Sequence, residues 1–282
     1  MTQSIYRLGI GIVVCAMSGV AFEAAPVQAA AFSFSGSRLG LENVSLLPQA
    51  KSSTLVTDAI AQTQSGTADN FFDGTLNFVA DEETRLDGAF EARSQGQGRG
   101  YFGRSQVRSD AFAEFLVTPQ QPLSLDFQIA TLLRNTAETP SERATAQSTL
   151  SLSLLDPEQT VLKFFTLEAN VNTSPVDRDS NEALFVDTNG QILGSNSQLL
   201  PGATEEIGTF SFLGRFSHTV SQPTLLTLQI DSLNQSCVQA PDASDACVKV
   251  PDQSGFWAFG LVSALGLLLL PRRRVAAVIS LR

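Results

Sequence analysis

The chain has very few of the side chains that build metal centres and histidine-dependent catalytic sites. Its 282 residues include one histidine, His218, and three cysteines, of which Cys15 lies in an apolar amino-terminal run. The two other thiols, Cys237 and Cys247, and one distant imidazole do not complete the tetrahedral ligand set that zinc takes. We therefore expect no zinc centre.

Aromatic side chains that combine an apolar face with a polar group are also scarce. The chain has 19 Phe but only one Trp and two Tyr. Trp257 and Tyr6 lie in the terminal apolar segments, which leaves Tyr101 alone between them. Sites that stack sugar rings favour Trp and Tyr, so this composition weakens the prediction of such a site and assigns the phenylalanines to a core.

The chain has fewer positively charged side chains than negatively charged ones. The chain carries 18 Lys and Arg against 28 Asp and Glu, and between residues 30 and 250 the balance is 13 − 26 = −13. Nucleic acids and anionic lipid surfaces attract clustered positive charge. We therefore expect neither as a partner of this part of the chain.

Residues 1–29 have the pattern of a secretory signal peptide. Arg7 is the one charge of the front end, an apolar run follows, and Val27-Gln28-Ala29 has the small-x-small cleavage pattern. An uncleaved anchor is the alternative, but the run is shorter than the ~20 residues of a spanning helix. We predict a signal peptide over 1–29, an extracellular domain over 30–250 and a carboxyl-terminal tail over 251–282.

Apolar residues of the predicted domain recur with a period of two. Leu123, Leu125 and Phe127, for example, alternate with Ser124 and Asp126, which is typical of a half-buried strand. Turn-forming residues separate such segments, although residues 54–62 allow a short helix. The pattern predicts an all-β fold, an antiparallel β-sandwich of the jelly-roll type. Further predicted strands are 75–80, 111–118 (apolar on both faces), 150–154, 161–171, 208–220 and 225–233.

The glycine-rich segment 94–103 predicts a flexible connection or a flat, glycine-spaced strand. Within it, Gly98 to Gly103 match G-x-G-x-x-G, which binds dinucleotides when a helix follows. Strand-like sequence follows here instead. We interpret the match as accidental.

The sequence does not place the candidate catalytic residues with the other groups that a catalytic site needs. His218 shares a predicted strand face with Phe216, which favours a core or edge histidine over a catalytic base. The acidic clusters 81–83 and 205–206 resemble the carboxylate pair of a glycosidase, but adjacent acids on turns are generally solvated. We predict no catalytic site.

Residues 177–181 offer alternating oxygen ligands for a hard cation. Asp177, Asp179 and Asn181 have the D-x-D-x-N spacing that opens a calcium loop. Glu182 stands where an EF-hand has glycine, so the pattern allows a calcium site but excludes an EF-hand.

The cysteines Cys237 and Cys247 lie in a chain that is predicted to be exported to an oxidising compartment. We predict a disulfide that closes a small polar loop, worth on the order of 2 to 3 kcal/mol in the loop-entropy model.

The carboxyl-terminal tail combines three features. Val250-Pro251-Asp252 precedes the apolar segment 255–270, and Arg272, Arg273 and Arg274 follow it. Sixteen helical residues reach only about 24 Å, short of the ~30 Å hydrocarbon core. Because positive charge is retained in the cytoplasm, the tail predicts a marginal membrane span with a cytoplasmic basic cluster.

This layout resembles the PEP-CTERM sorting signal of Gram-negative and cyanobacterial exported proteins. Asp252-Gln253 stands where that signal has Glu-Pro, and residues 275–282 extend beyond the arginines. The resemblance implies recognition by an exosortase in the inner membrane, followed by release or attachment at the cell surface, often alongside extracellular polysaccharide.

Three functional hypotheses follow. The first is an exported, non-enzymatic structural or matrix-associated protein at the cell surface. The second is a glycan- or calcium-dependent binding module. The third, a secreted hydrolase, requires acids that converge in a cleft near His218, Asp81 or Glu205.

Overall fold

The structure, a computed structural model, describes residues 31–80, 84–139, 141–173, 182–188, 191–200, 202, 204–243 and 247. These residues form strands and connections and contain no helix, so none of them crosses a membrane as a helix. The predicted all-β class is confirmed. The predicted signal peptide and tail lie outside the described residues.

The strands are β1 (Ala31–Glu42), β2 (Ala50–Gln62), β3 (Ser65–Ala80), β4 (Thr84–Arg99), β5 (Phe102–Val117), β6 (Leu123–Ala137), β7 (Arg143–Leu155), β8 (Val161–Asn172), β9 (Glu182–Thr188), β10 (Gln191–Leu200), β11 (Glu205–His218) and β12 (Thr224–Gln239).

The strands build two antiparallel sheets that pack face to face as a sandwich. The first sheet has the order β10-β11-β6-β1-β4-β3 and the second has the order β2-β5-β12-β7-β8-β9. β5 pairs with β12 and β6 with β11, the nested pairing of a jelly roll. β7, β8 and β9, by contrast, follow one another within the second sheet.

The period of two in the sequence corresponds to the two faces of each strand. On β6 every second residue from Leu123 to Ala137 is buried, because successive side chains of a strand point to opposite faces. On β5 Phe115 and Val117 face inward, whereas Phe112 and Leu116 are exposed on the outer face. The predicted strands within 111–137 are therefore confirmed, including the one that is apolar on both faces.

The alternative of a short helix over residues 54–62 is wrong. These residues belong to β2, which pairs with β5 from Ala50 to Gln62. Pairing with a long neighbouring strand outweighs a weak local helix propensity.

One half of the space between the sheets holds an apolar core. Phe127 of the first sheet lies 5.0 Å, between ring centres, from Phe165 of the second sheet and 5.2 Å from Phe216. Aromatic pairs at this separation contribute about 0.5–1.5 kcal/mol beyond the burial of their surface. The contact of Phe127 with Phe165 joins the two sheets.

The other half of the interior is a polar seam. The Ser33 hydroxyl donates to the Thr145 carbonyl at 2.6 Å, and the Asn234 amide donates to the Ser37 hydroxyl at 2.7 Å. These bonds run from one sheet to the other, so the backbones approach more closely here than the ~10 Å typical of packed sheets. We call this set the polar seam; its residues are Ser33, Ser35, Ser37, Ser94, Ser105, Asn234 and Ser236.

Tyr101 closes one end of the sandwich. It lies in the connection from β4 to β5, is fully buried, and packs beside Ala31 and Ala240. Its ring covers Gly96, where a Cβ atom would overlap the ring carbons. We call this end the Tyr101 end. Both Ala31, the first described residue, and the end of β12 lie there.

The glycine-rich segment combines a strand and a tight connection. Residues 94–99 complete β4, as the glycine-spaced strand prediction requires. Gly98 and Gly100 have φ of +93° and +61°, a backbone conformation that favours glycine. β5 follows instead of a helix, so the G-x-G-x-x-G match lacks the helix N-terminus that binds phosphate.

Replacing Gly96→Ala is expected to destabilise the domain by about 2–4 kcal/mol, because the added methyl group overlaps the buried Tyr101 ring. Gly40→Ala is the matched control, since a Cβ atom at Gly40 meets no heavy atom within 4 Å. Urea unfolding measures both. Equal effects of the two substitutions would contradict this account of the Tyr101 end.

Candidate functional site

Several predicted site residues lie outside the described residues. These are the sorting motif Val250, Pro251 and Asp252, the basic cluster Arg272 to Arg274, and the calcium candidates Asp177, Asp179 and Asn181. The acids 81–83 also lie outside. Each of these predictions stays a prediction. Among the described residues, no group of three or more His, Cys, Asp or Glu is arranged to hold a metal ion.

The predicted disulfide between Cys237 and Cys247 is present. The two Cα atoms are 5.8 Å apart and the sulfur atoms are bonded. The Cys247 N–H also donates to the Gln239 side-chain oxygen at 3.0 Å. Cys237 is buried on β12, so the bond fastens the segment after β12 to a central strand of the second sheet.

His218 lies at the end of β11, half-buried beside the apolar core. It faces inward with Phe216, as the alternation predicted. Burial lowers the pKa of His218, and the positive charge of Lys163 lowers it further. The environment therefore favours a neutral imidazole.

The expectation that Glu205 and Glu206 are both solvated is wrong. Glu205 is exposed and forms an ion pair with Arg134 at 2.9 Å. Glu206 is fully buried, and its carboxylate accepts a hydrogen bond from the Asn172 N–H at 3.1 Å. The pair lies in β11 and not in a turn, so successive side chains point to opposite faces.

A pair of carboxyl groups lies on the outer face of the second sheet. Asp110 of β5 and Asp231 of β12 are directly opposite each other, and Arg108 forms an ion pair with Asp110 at 3.3 Å. The Gln229 amide donates to Asp231 at 3.0 Å. Burial, followed by the hydrogen bond and negative charge of Asp110, raises the pKa of Asp231 to about 7. Near neutral pH the Asp231 carboxyl is therefore protonated in part of the molecules.

Phe112 stands next to this pair with 41% of its surface exposed. It lies two residues from Asp110 on the same face and opposite Gln229. Phe71 and Phe72 of β3 are exposed to a similar extent. The assignment of all phenylalanines to the core is therefore wrong. The sequence feature that indicates an exposed Phe112 is the run 111–118, because a strand that is apolar on both faces also carries apolar side chains on its outer face.

The outer-face site combines an open aromatic ring with hydrogen-bonding groups. We define it as Phe112, Asp110, Gln229, Asp231 and Arg108. A flat ring face can cover the apolar face of a sugar, while carboxylate, amide and guanidinium groups bond hydroxyl groups at its rim. The arrangement is therefore capable of binding a glycan.

The free energy of unfolding is expected to fall as pH rises from about 4 through about 7. The folded protein binds the Asp231 proton more tightly than the unfolded chain does, so stability is lost as that proton leaves. Replacing Asp231→Asn removes this loss and stabilises the domain at pH 8 by about 1–2 kcal/mol, allowing for partial exposure of the site.

The measurement is urea unfolding between pH 4 and pH 8. Asp69→Asn, the same substitution on β3 of the other sheet, is the matched control. If Asp231→Asn and the wild-type chain lose stability equally over this range, the raised pKa of Asp231 is wrong.

Comparison of the whole chain with protein-family models, with curated proteins and with solved structures finds no match in any of the three.

Proposed function

We propose that this chain is an exported, non-enzymatic structural protein of the cell surface or extracellular matrix. The observation that carries the proposal is the disulfide between Cys237 and Cys247. Disulfides persist in oxidising compartments outside the cytoplasm. The acidic balance of the predicted domain suits a soluble extracellular protein.

The positions of Ala31 and of the end of β12 support a protein that is exported and sorted by its terminal segments. Ala31 pairs with Ala137 and Gly96, and the Ala240 N–H donates to the Tyr101 carbonyl at 2.9 Å. The first described residue and the end of β12 therefore share the Tyr101 end. In sequence the predicted signal peptide precedes Ala31, and the PEP-CTERM-like tail follows Cys247. An exosortase in the inner membrane is the partner that this proposal assigns to the tail.

The separation of the candidate catalytic groups supports a non-enzymatic role. Glu206 lies opposite Asn135 near the Tyr101 end of β11, whereas His218 lies opposite Leu123 at the far end. Twelve residues of extended strand span about 40 Å. A hydrolase needs its acid and base within reach of one bond, so this pair supports no shared site.

The mass of the protein recovered from the envelope and medium of the producing cells tests export and sorting. We expect a chain that begins after Ala29, ends near Pro251, and loses two further hydrogens to the disulfide. Replacing the three arginines 272–274 by glutamine is expected to leave the tail unprocessed. A chain that stays in the cytoplasm with reduced Cys237 and Cys247 would refute the proposal.

A glycan-binding module is the second candidate, favoured by the exposed Phe112 within the outer-face site. The ligand that this proposal assigns is an uncharged or weakly charged extracellular polysaccharide, because the domain carries net negative charge. The calcium ligands that this candidate function assigns are the predicted loop residues 177–181.

Replacing Phe112→Ala is expected to weaken retention on the cells' own polysaccharide about tenfold, since loss of a stacking ring costs on the order of 1–2 kcal/mol. Leu213→Ala, which removes a similarly exposed side chain from the outer face of the first sheet, is the control. Affinity electrophoresis measures both, with and without calcium. Unchanged retention of the Phe112 variant would remove the outer-face site from consideration.

A further inference from the structure

The two sheets end in four edge strands, β3 and β10 in the first and β2 and β9 in the second. An edge strand exposes unpaired backbone donors and acceptors and is a template for another strand. Proteins generally protect such edges with short strands, bulges, glycines, prolines or charges.

Three of these edges carry such a feature. β9 is short, from Glu182 to Thr188, and β10 has a break in register between Ile192 and Gly194. β3 carries two aspartates, Asp69 and Asp73, on its outer face.

β2 has no bulge, glycine or proline. It pairs with β5 without a register break over thirteen residues. Its two charged residues, Lys51 and Asp58, have opposite signs, whereas Asp69 and Asp73 of β3 have the same sign. Every one of its residues is exposed, and Val56 at its centre is exposed by 58%.

The hydrogen bonds of β5 show which residues of β2 face the open edge. The Tyr101 carbonyl accepts from Ala240 on the β12 side, and the Glu114 carbonyl accepts from Gln49 on the β2 side. Backbone groups of successive residues point to alternate edges. Even-numbered residues of β2 therefore bond to β5, and the odd-numbered residues from Ser53 to Ala61 direct their N–H and C=O groups outward.

We propose that β2 pairs with β2 of a second copy of this chain in an antiparallel two-fold dimer. Full overlap of Ala50–Gln62 with its copy places Val56 opposite Val56 on the two-fold axis and every outward backbone group opposite a partner.

The side chains suit this register. Thr54 lies opposite Asp58, whose carboxylate pairs with Arg104 of its own chain at 3.0 Å, and Lys51 lies opposite Ala61, so no like charges oppose each other. The contact is about 44 Å long and about 12 Å deep, which gives roughly 1,000 Å² in total, the lower limit for a specific interface. We expect a dissociation constant in about the micromolar range. The dimer forms without export, so it goes beyond the proposed function.

Cysteine cross-linking of the full chain in mild detergent tests the register. Residues on the two-fold axis that are not hydrogen-bonded have Cβ atoms about 4.5–5.5 Å apart, close enough for a disulfide after small movements. Val56→Cys is expected to give a covalent dimer on oxidation, joined at residue 56 in both copies by peptide mapping. Leu213→Cys, on an exposed position of the first sheet, is the control, in which peptide mapping is expected to find no cross-link between the two copies of residue 213.

Two further variants test the interaction without a cross-link. Thr57→Pro removes one outward N–H and leaves the bonds to β5 intact, and Val56→Lys places like charges opposite each other. Both are expected to sediment as monomers at concentrations where the wild-type chain is a dimer, with wild-type circular dichroism. Val56→Lys is decisive if Thr57→Pro fails to fold.

The proposal is overturned by a wild-type chain that is monomeric at 100 μM, or by a dimer that survives Val56→Lys. It is also overturned by a cross-link from residue 56 to another segment of its own chain, which would make that segment the occupant of the edge.

Discussion

The short distance between the two sheets at the polar seam is the constraint on which much of the domain depends. A serine hydroxyl reaches the opposite backbone only where side chains are small, as Ser35 does in bonding to the Gln147 carbonyl at 2.6 Å. Each such group is expensive to bury without a partner. The seam therefore fixes the relative position of β1, β7 and β12 more sharply than apolar contacts do, while the other half holds the large cluster of buried apolar side chains around Phe127 and Phe165.

The seam also limits what the sequence reveals. Alternation identified strands well, and it placed the inward residues of β6 and β11 correctly. It indicated the outer position of Ser151 on β7 but not the burial of the serines of β1. Ser35 is fully buried whereas Ser151, in a similar alternating run, lies half-exposed on the outer face. The difference depends on the opposite sheet, which brings a carbonyl to Ser35, and that contact is distant in sequence.

The disulfide was predictable because Cys237 and Cys247 are the cysteines left after the signal peptide is set aside. The outer-face site was not. Asp110 and Asp231 are far apart in the chain, and only the register of β5 on β12 brings them together. Glu206 was misjudged for a related reason, since a position inside a strand, and not its acidic neighbour, decides which way its carboxylate points.

The attachment of Cys247 to Cys237 has a mechanical consequence. Any pull applied through the chain beyond Cys247 enters the domain at Cys237 and bypasses the connecting loop. β12 is paired along its length with β5 on one side and β7 on the other. A force along this strand is shared by both ladders at once and does not open them one bond at a time. A load along β12 is therefore carried in shear by two ladders of hydrogen bonds.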